Sequence, residues 1–132
     1  MSIVCSTDTP IGRLSALYEN GTIRRVFFPS EPLPAGIEHD DSLEFSIQIK
    51  EYFEGQRRQF TLPLLIPGTP FRQDVYRAVL MIPYGETAAY ADVAFAAGYL
   101  GAMRAVGSTM KATPLPILIP CHRVVHKDYK KS

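Results

Sequence analysis

Pro120-Cys121-His122-Arg123 sets a thiol beside an imidazole, directly after the apolar run Pro116-Ile117-Leu118-Ile119 and before Val124-Val125. Such neighbours can form a thiolate–imidazole pair. The thiolate is the nucleophilic form of cysteine, and an adjacent imidazolium lowers the thiol pKa from its reference of about 8.5. Pro120 restricts the backbone on one side, and Arg123 adds positive charge on the other. Cys-His pairs also arise by chance, and a buried cysteine is commonly inert. The segments that position the pair therefore carry the decision.

The chain has 132 residues, room for one ordinary domain or two very small ones. Hydrophobic residues make up 46%, which supports a packed core and argues against disorder. The net charge of +1 hides an asymmetry. Residues 1–68 hold six Lys/Arg and nine Asp/Glu, a balance of −3, whereas residues 69–132 hold eight and four, a balance of +4. A basic second half suits a polyanion, although ordinary surface scatter accounts for the same numbers. The two cysteines, Cys5 and Cys121, make no disulfide framework, and no Cys/His spacing suits zinc, so no metal is expected. Met1-Ser2-Ile3-Val4-Cys5-Ser6-Thr7-Asp8 turns polar too soon for a signal peptide. No apolar run reaches the roughly 20 residues of a membrane span, so no membrane partner is expected. The expected compartment is intracellular and reducing (cytoplasm, or nucleus in a eukaryote), with Cys121 a free thiol.

The first half reads as strands. Ile3-Val4-Cys5 is short, Arg13 to Tyr18 alternates, Glu19-Asn20-Gly21 is a hairpin signal, and Thr22 to Phe28 returns. Residues 29–41 form a Pro-rich acidic loop, and a helix runs from Ser42-Leu43-Glu44 to Gly55. Phe60 to Leu64 reads as extended. Composition changes at Gly68-Thr69-Pro70, with Thr69 as N-cap and Pro70 opening a helix. Phe71, Val75, Tyr76, Val79 and Leu80 form its apolar stripe. A second helix is expected over Thr87–Ala97, capped by Gly98, and a third over Ala102–Lys111 with Met103, Val106 and Met110 on one side. Two short helices joined by a tight glycine turn match a helix-turn-helix, and equally a helical hairpin within a core. Gly107 inside the third helix costs about 1 kcal/mol against alanine, which suggests close packing or backbone approach there. The expected fold is an α/β lobe with an antiparallel sheet over residues 1–66, then a mainly helical lobe over 69–132. In the second lobe a strand-like Ile117-Leu118-Ile119 leads to the cysteine.

Gly-Thr-Pro-Phe (68–71), Ile-Pro-Tyr-Gly-Glu-Thr (82–87), Tyr90, Arg-Ala-Val-Gly (104–107) and Pro-Ile-Leu-Ile-Pro-Cys-His-Arg-Val-Val (116–125) occur in one order and spacing. That set resembles the O6-alkylguanine-DNA alkyltransferases, also called methylated-DNA–protein cysteine methyltransferases, closely over 69–125 and loosely over 1–68. The resemblance implies repair of duplex DNA carrying O6-alkylguanine, by flipping the base and moving its alkyl group to a cysteine, once per molecule and without a cofactor. Cys121 is implied as acceptor, His122 as the base that takes its proton, and Tyr90 as the donor that neutralises the leaving guanine. Arg104 is implied to fill the gap left by the flipped base, with Tyr90, Ala105 and Arg123 as further DNA contacts. By residue type alone, Tyr90 suits a core aromatic and Arg104 a solvated helix charge. His122 suits a bonded core histidine, and Arg123 a structural ion-pair partner.

The chain departs from the family pattern in two places. Thr113 stands where the family has an asparagine that supports the active-site turn, and a hydroxyl lacks the amide's two donors. After Val125 the sequence reads His126-Lys127-Asp128-Tyr129-Lys130-Lys131-Ser132, onto which the family's glycine-rich loop and glutamate helix cannot be mapped. Asp128 is the carboxylate nearest in sequence. The expectation for this form is DNA binding with slowed transfer, and self-association through uncovered apolar surface. The competing function is a DNA-binding protein that recognises alkylated bases without efficient transfer. An unrelated Cys–His hydrolase is disfavoured, because no oxyanion-hole motif or third triad member is apparent.

Overall fold

The computed structural model describes residues 1–126. Asp128 lies outside the described residues. The chain divides into two compact units, Met1–Leu65 and the part from Ile66 onward.

In the first unit, β1 (Ser2–Thr9), β2 (Gly12–Glu19) and β3 (Thr22–Phe27) pair antiparallel in sequence order. Asn20 and Gly21 both take positive φ, 50° and 86°, as the two-residue hairpin between β2 and β3 requires. The sheet is mixed rather than purely antiparallel, because β4 (Glu38–His39) adds to β1 in parallel. The Pro-rich segment after β3 carries the chain back across the sheet, and a crossover of this kind returns a strand in the same direction. Helix α1 (Glu44–Phe53) packs on β1 and buries Phe45 and Ile49. Tyr18 Oη accepts the Phe45 amide at 3.1 Å, which fixes the start of α1 to the sheet. The extended piece near Leu64 lies along Ile23, whose amide donates to Pro63 O at 2.8 Å.

In the second unit, α2 (Pro70–Leu80) begins as its sequence dictates: Thr69 Oγ1 accepts the Arg72 amide and Pro70 occupies the first turn. Its buried face is Val75, Tyr76 and Val79. It packs with α3 (Tyr90–Ala96) and α4 (Met103–Lys111). The α3–α4 turn uses Gly98 and Gly101 at φ 90° and 85°. It is fastened to α2 by Tyr99, whose hydroxyl donates to Asp74 at 2.8 Å while its ring meets Phe71 edge-on at 4.7 Å.

Two expectations are corrected here. The helix expected from Thr87 starts at Tyr90, because Ala88–Ala89 form a strand, β5, paired in parallel with β6 (Val124–Val125). Ile117-Leu118-Ile119 is a tight turn, not a strand. Leu118 N donates to Pro116 O at 2.8 Å, Ile119 N to Leu115 O at 2.9 Å, and Ile117 sits at φ 72°. Burial of Leu115, Leu118 and Ile119 inside the unit outweighs the extended preference of the β-branched residues. Among the described residues no helix is long and apolar enough to cross a membrane.

Candidate active site and nucleic-acid interface

Cys121, His122 and Arg123 form one turn of 3₁₀ helix between the 113–120 turn and β6. Pro120 is buried behind it, and the Cys121 amide donates to Ile119 O at 2.7 Å. The following residues pair with β5, and Tyr90 comes immediately after β5. This two-residue ladder joins the cysteine turn to the tyrosine. Its sequence signal is faint: a β-branched pair, Val124-Val125, whose partner lies far along the chain.

The thiol does not have the low pKa that its histidine neighbour suggested. Burial pushes Cys121 up to about 11, and the local backbone offsets this only in part. The neutral thiol is therefore the resting form at pH 7. His122 moves the opposite way. The protein around its ring, and then the Arg123 charge, hold its pKa below the ordinary histidine value, although the residue reaches solvent. A neutral imidazole next in sequence to a neutral thiol is not a preformed ion pair.

Arg123 does not extend freely into solvent. Its guanidinium donates to the Ile82 carbonyl at 2.8 Å and lies over the Tyr84 ring at 5.6 Å. It ties the cysteine turn to the Ile82-Pro83-Tyr84-Gly85 segment. Thr113 Oγ1 accepts the Leu115 amide at 3.1 Å, which steadies the start of the turn.

Tyr90 and Arg104 line one cavity of about 560 Å³, together with Met103, Gly107, Ser108, Lys111 and His126. Cys121 and His122 are not among its lining residues. Arg104, Ser108 and Lys111 recur at helical spacing on the exposed side of α4, opposite buried Val106 and Met110. Ala105 is exposed beside Arg104. Ser108 and Lys111 follow Arg104 at i+4 and i+7, and the sequence pattern already sets all three off the apolar stripe of this helix. The His126 ring meets Tyr90 at 5.4 Å, a contact with no sequence signal. Gly107 faces the cavity, where an added Cβ would sit 3.8 Å from Tyr90 Cε1.

The chain as a whole is similar to proteins of known family. Residues 70–132 match the family model described as 6-O-methylguanine DNA methyltransferase, DNA binding domain. The constitutive methylated-DNA–protein-cysteine methyltransferase of Bacillus subtilis is 41% identical over 137 residues, spanning 97% of this chain and 83% of the relative. The Mycobacterium leprae methylated-DNA–protein-cysteine methyltransferase is 38% identical over 128 residues, spanning 91% and 76%. A crystal structure of Mycobacterium tuberculosis OGT in complex with DNA superposes with a TM-score of 0.85 at 33% identity, covering 98% of this chain and 82% of that one. The chain belongs to the methylated-DNA–protein-cysteine methyltransferase family.

Proposed function

We propose that this chain repairs duplex DNA by moving an alkyl group from O6 of guanine to its own Cys121. The observation that carries the reading is the placement of Cys121 and His122 on a turn whose ladder leads straight to Tyr90, beside the basic face of α4. His122 takes the Cys121 proton. The sulfur attacks the O-alkyl carbon, a carbon–sulfur bond forms, and the carbon–oxygen bond breaks with its electron pair passing to guanine O6. Tyr90 donates a hydrogen bond or proton to the departing base. The product is a thioether, so each molecule reacts once.

DNA is the partner, and α3 with α4 serve as a helix-turn-helix whose second helix enters a groove. Arg104 fills the gap left by the extruded base, since a stacked guanine keeps O6 out of reach of an enclosed thiol. Ala105 lets the helix backbone approach closely. Arg123 serves first to hold the turn and only secondarily to meet DNA, given its bond to Ile82. Binding goes mainly to phosphates and weakens as salt rises. A DNA-binding protein that does not transfer is disfavoured: the acceptor cysteine is in place and the relatives are named as transferases.

The test is incubation with a duplex carrying labelled O6-methylguanine, followed by mass analysis of the peptide holding Cys121. Label on that peptide is expected. Cys121→Ala should give no labelled protein yet bind the duplex as before, because the thiol meets no phosphate. Label on Cys5 would overturn the assignment.

A further inference from the structure

The register of the β5–β6 ladder fixes more than the backbone. Ala88 pairs with Val124 and Ala89 with Val125, in parallel. The next position in that register holds Tyr90 and His126. Parallel neighbours lie about 4.8 Å apart and send their side chains to the same side. The two rings accordingly meet, with centroids 5.4 Å apart and planes at 60°, in an edge-on pairing. Tyr90 opens α3 and is half-buried, whereas His126 is exposed. Both line the cavity that Arg104 also lines.

A phenol that serves one atom of a departing base has to be aimed, because small misplacements at a reacting centre are costly. A ring on a cavity wall can turn between rotamers unless its neighbours stop it. Helix α4 gives little hold at Gly107, which has no side chain. Even an added Cβ there would reach only ordinary contact with Tyr90 Cε1, at 3.8 Å. The imidazole supplies the hold from a different element. His126 directly follows β6, five residues after Cys121. One short segment thus carries both the acceptor thiol and the ring that sets its partner tyrosine.

We propose that His126 is a positioning residue for alkyl transfer: its ring holds the Tyr90 ring in the orientation from which the hydroxyl serves the departing guanine. The proposal rests on the transfer reading above.

The experiment compares the full chain with His126→Ala, His126→Phe, Tyr90→Phe and the double variant Tyr90→Phe/His126→Ala. Single-turnover benzyl transfer from free O6-benzylguanine gives a maximal rate and a half-saturating concentration. Carbon-13 labelling of the tyrosines gives the Tyr90 ring signal by NMR, assigned as the signal lost in Tyr90→Phe. In His126→Ala the maximal rate should fall about five-fold, the rate equivalent of one lost aromatic pair, with the half-saturating concentration little changed. The Tyr90 signal should shift, because the ring current of the imidazole is gone. His126→Phe keeps a flat ring and should keep most of the rate. In the Tyr90→Phe background His126→Ala should cost nothing more, because the hydroxyl it aims is already absent. Iodoacetamide labelling of Cys121 should match the wild type in His126→Ala. A changed labelling rate would move the effect to the thiol and overturn the proposal. So would a wild-type rate in His126→Ala, or an equal loss with and without the Tyr90 hydroxyl. A loss in His126→Phe as large as in His126→Ala, with a raised half-saturating concentration, would make the imidazole a substrate contact and also overturn it. If Tyr90→Phe fails to fold, the Ala and Phe variants at His126 decide the point. A wild type that transfers no benzyl group defeats the transfer reading and the proposal together, whereas normal transfer beside an indifferent His126→Ala defeats the proposal alone.

Discussion

The cysteine turn and the outer face of α4 are built on opposite principles. The turn is partly enclosed: Cys121 is held neutral by burial, Pro120 is buried, and the backbone is bent through a costly φ at Ile117. The face of α4 is open and cationic, with Arg104, Ser108 and Lys111 in solvent and only Val106, Thr109 and Met110 turned inward. On the proposed function, the turn would make a bond by excluding water, and the helix face would meet a polyanion by remaining in water. Two regions so different should fail separately when altered.

The sharpest separation comes from Arg104→Ala. Repair of duplex DNA should slow by about a hundred-fold, the rate equivalent of roughly 3 kcal/mol of unstacking energy left uncompensated. Reaction with free O6-benzylguanine should be unaffected, since no base has to leave a stack. Equal losses on both substrates would merge the two regions into one.

Acidity probes the turn alone. His122 has a depressed pKa, so it stays neutral, and able to accept the thiol proton, to lower pH than an ordinary histidine. Benzyl transfer should therefore fall on acidification with a midpoint below the usual histidine value of about 6.5. Direct labelling of Cys121 by iodoacetamide depends on the thiolate itself. It should climb about ten-fold per pH unit toward the thiol pKa of about 11. A labelling midpoint near neutrality would mean an ion pair already exists, against the enclosed-thiol picture.

The smallest effect belongs to Gly107→Ala. The new methyl would make only an ordinary contact with Tyr90, so α4 should gain up to about 1 kcal/mol of helix propensity and melt a few degrees higher. Duplex affinity should drop modestly as the cavity beside Tyr90 narrows. A lower Tm would show that the glycine is a packing requirement rather than an opening for DNA.

What could be read from the residues was local. Thr69 and Pro70 start α2 as their chemistry demands, and Gly98 ends α3, because caps depend on a few neighbouring atoms. The acidic and basic halves, the α3–α4 pair and the Cys-His-Arg string needed no tertiary information either. What was missed depends on partners far along the chain. Ala88–Ala89 look helical until Val124–Val125 arrive to pair with them. Ile117-Leu118-Ile119 look extended until packing bends them. The Cys121 pKa follows from enclosure that no spacing encodes, and Tyr76 reads as one more apolar-stripe residue until its hydroxyl finds Thr109. The hint was the residue type itself, since a tyrosine on an inner stripe brings a polar end that must be satisfied.

The ladder between β5 and β6 also bears on the order of assembly. Its strands stand 36 residues apart, so closing it costs chain entropy that the helices between them do not have to meet. Helices α3 and α4 can form from neighbouring residues, whereas the thiol reaches its setting only when the two ends of that long loop join. The surface proposed to find DNA should thus mature before the group proposed to react with it, an order that pulsed amide-exchange labelling during refolding would reveal at Ala89 and Val125.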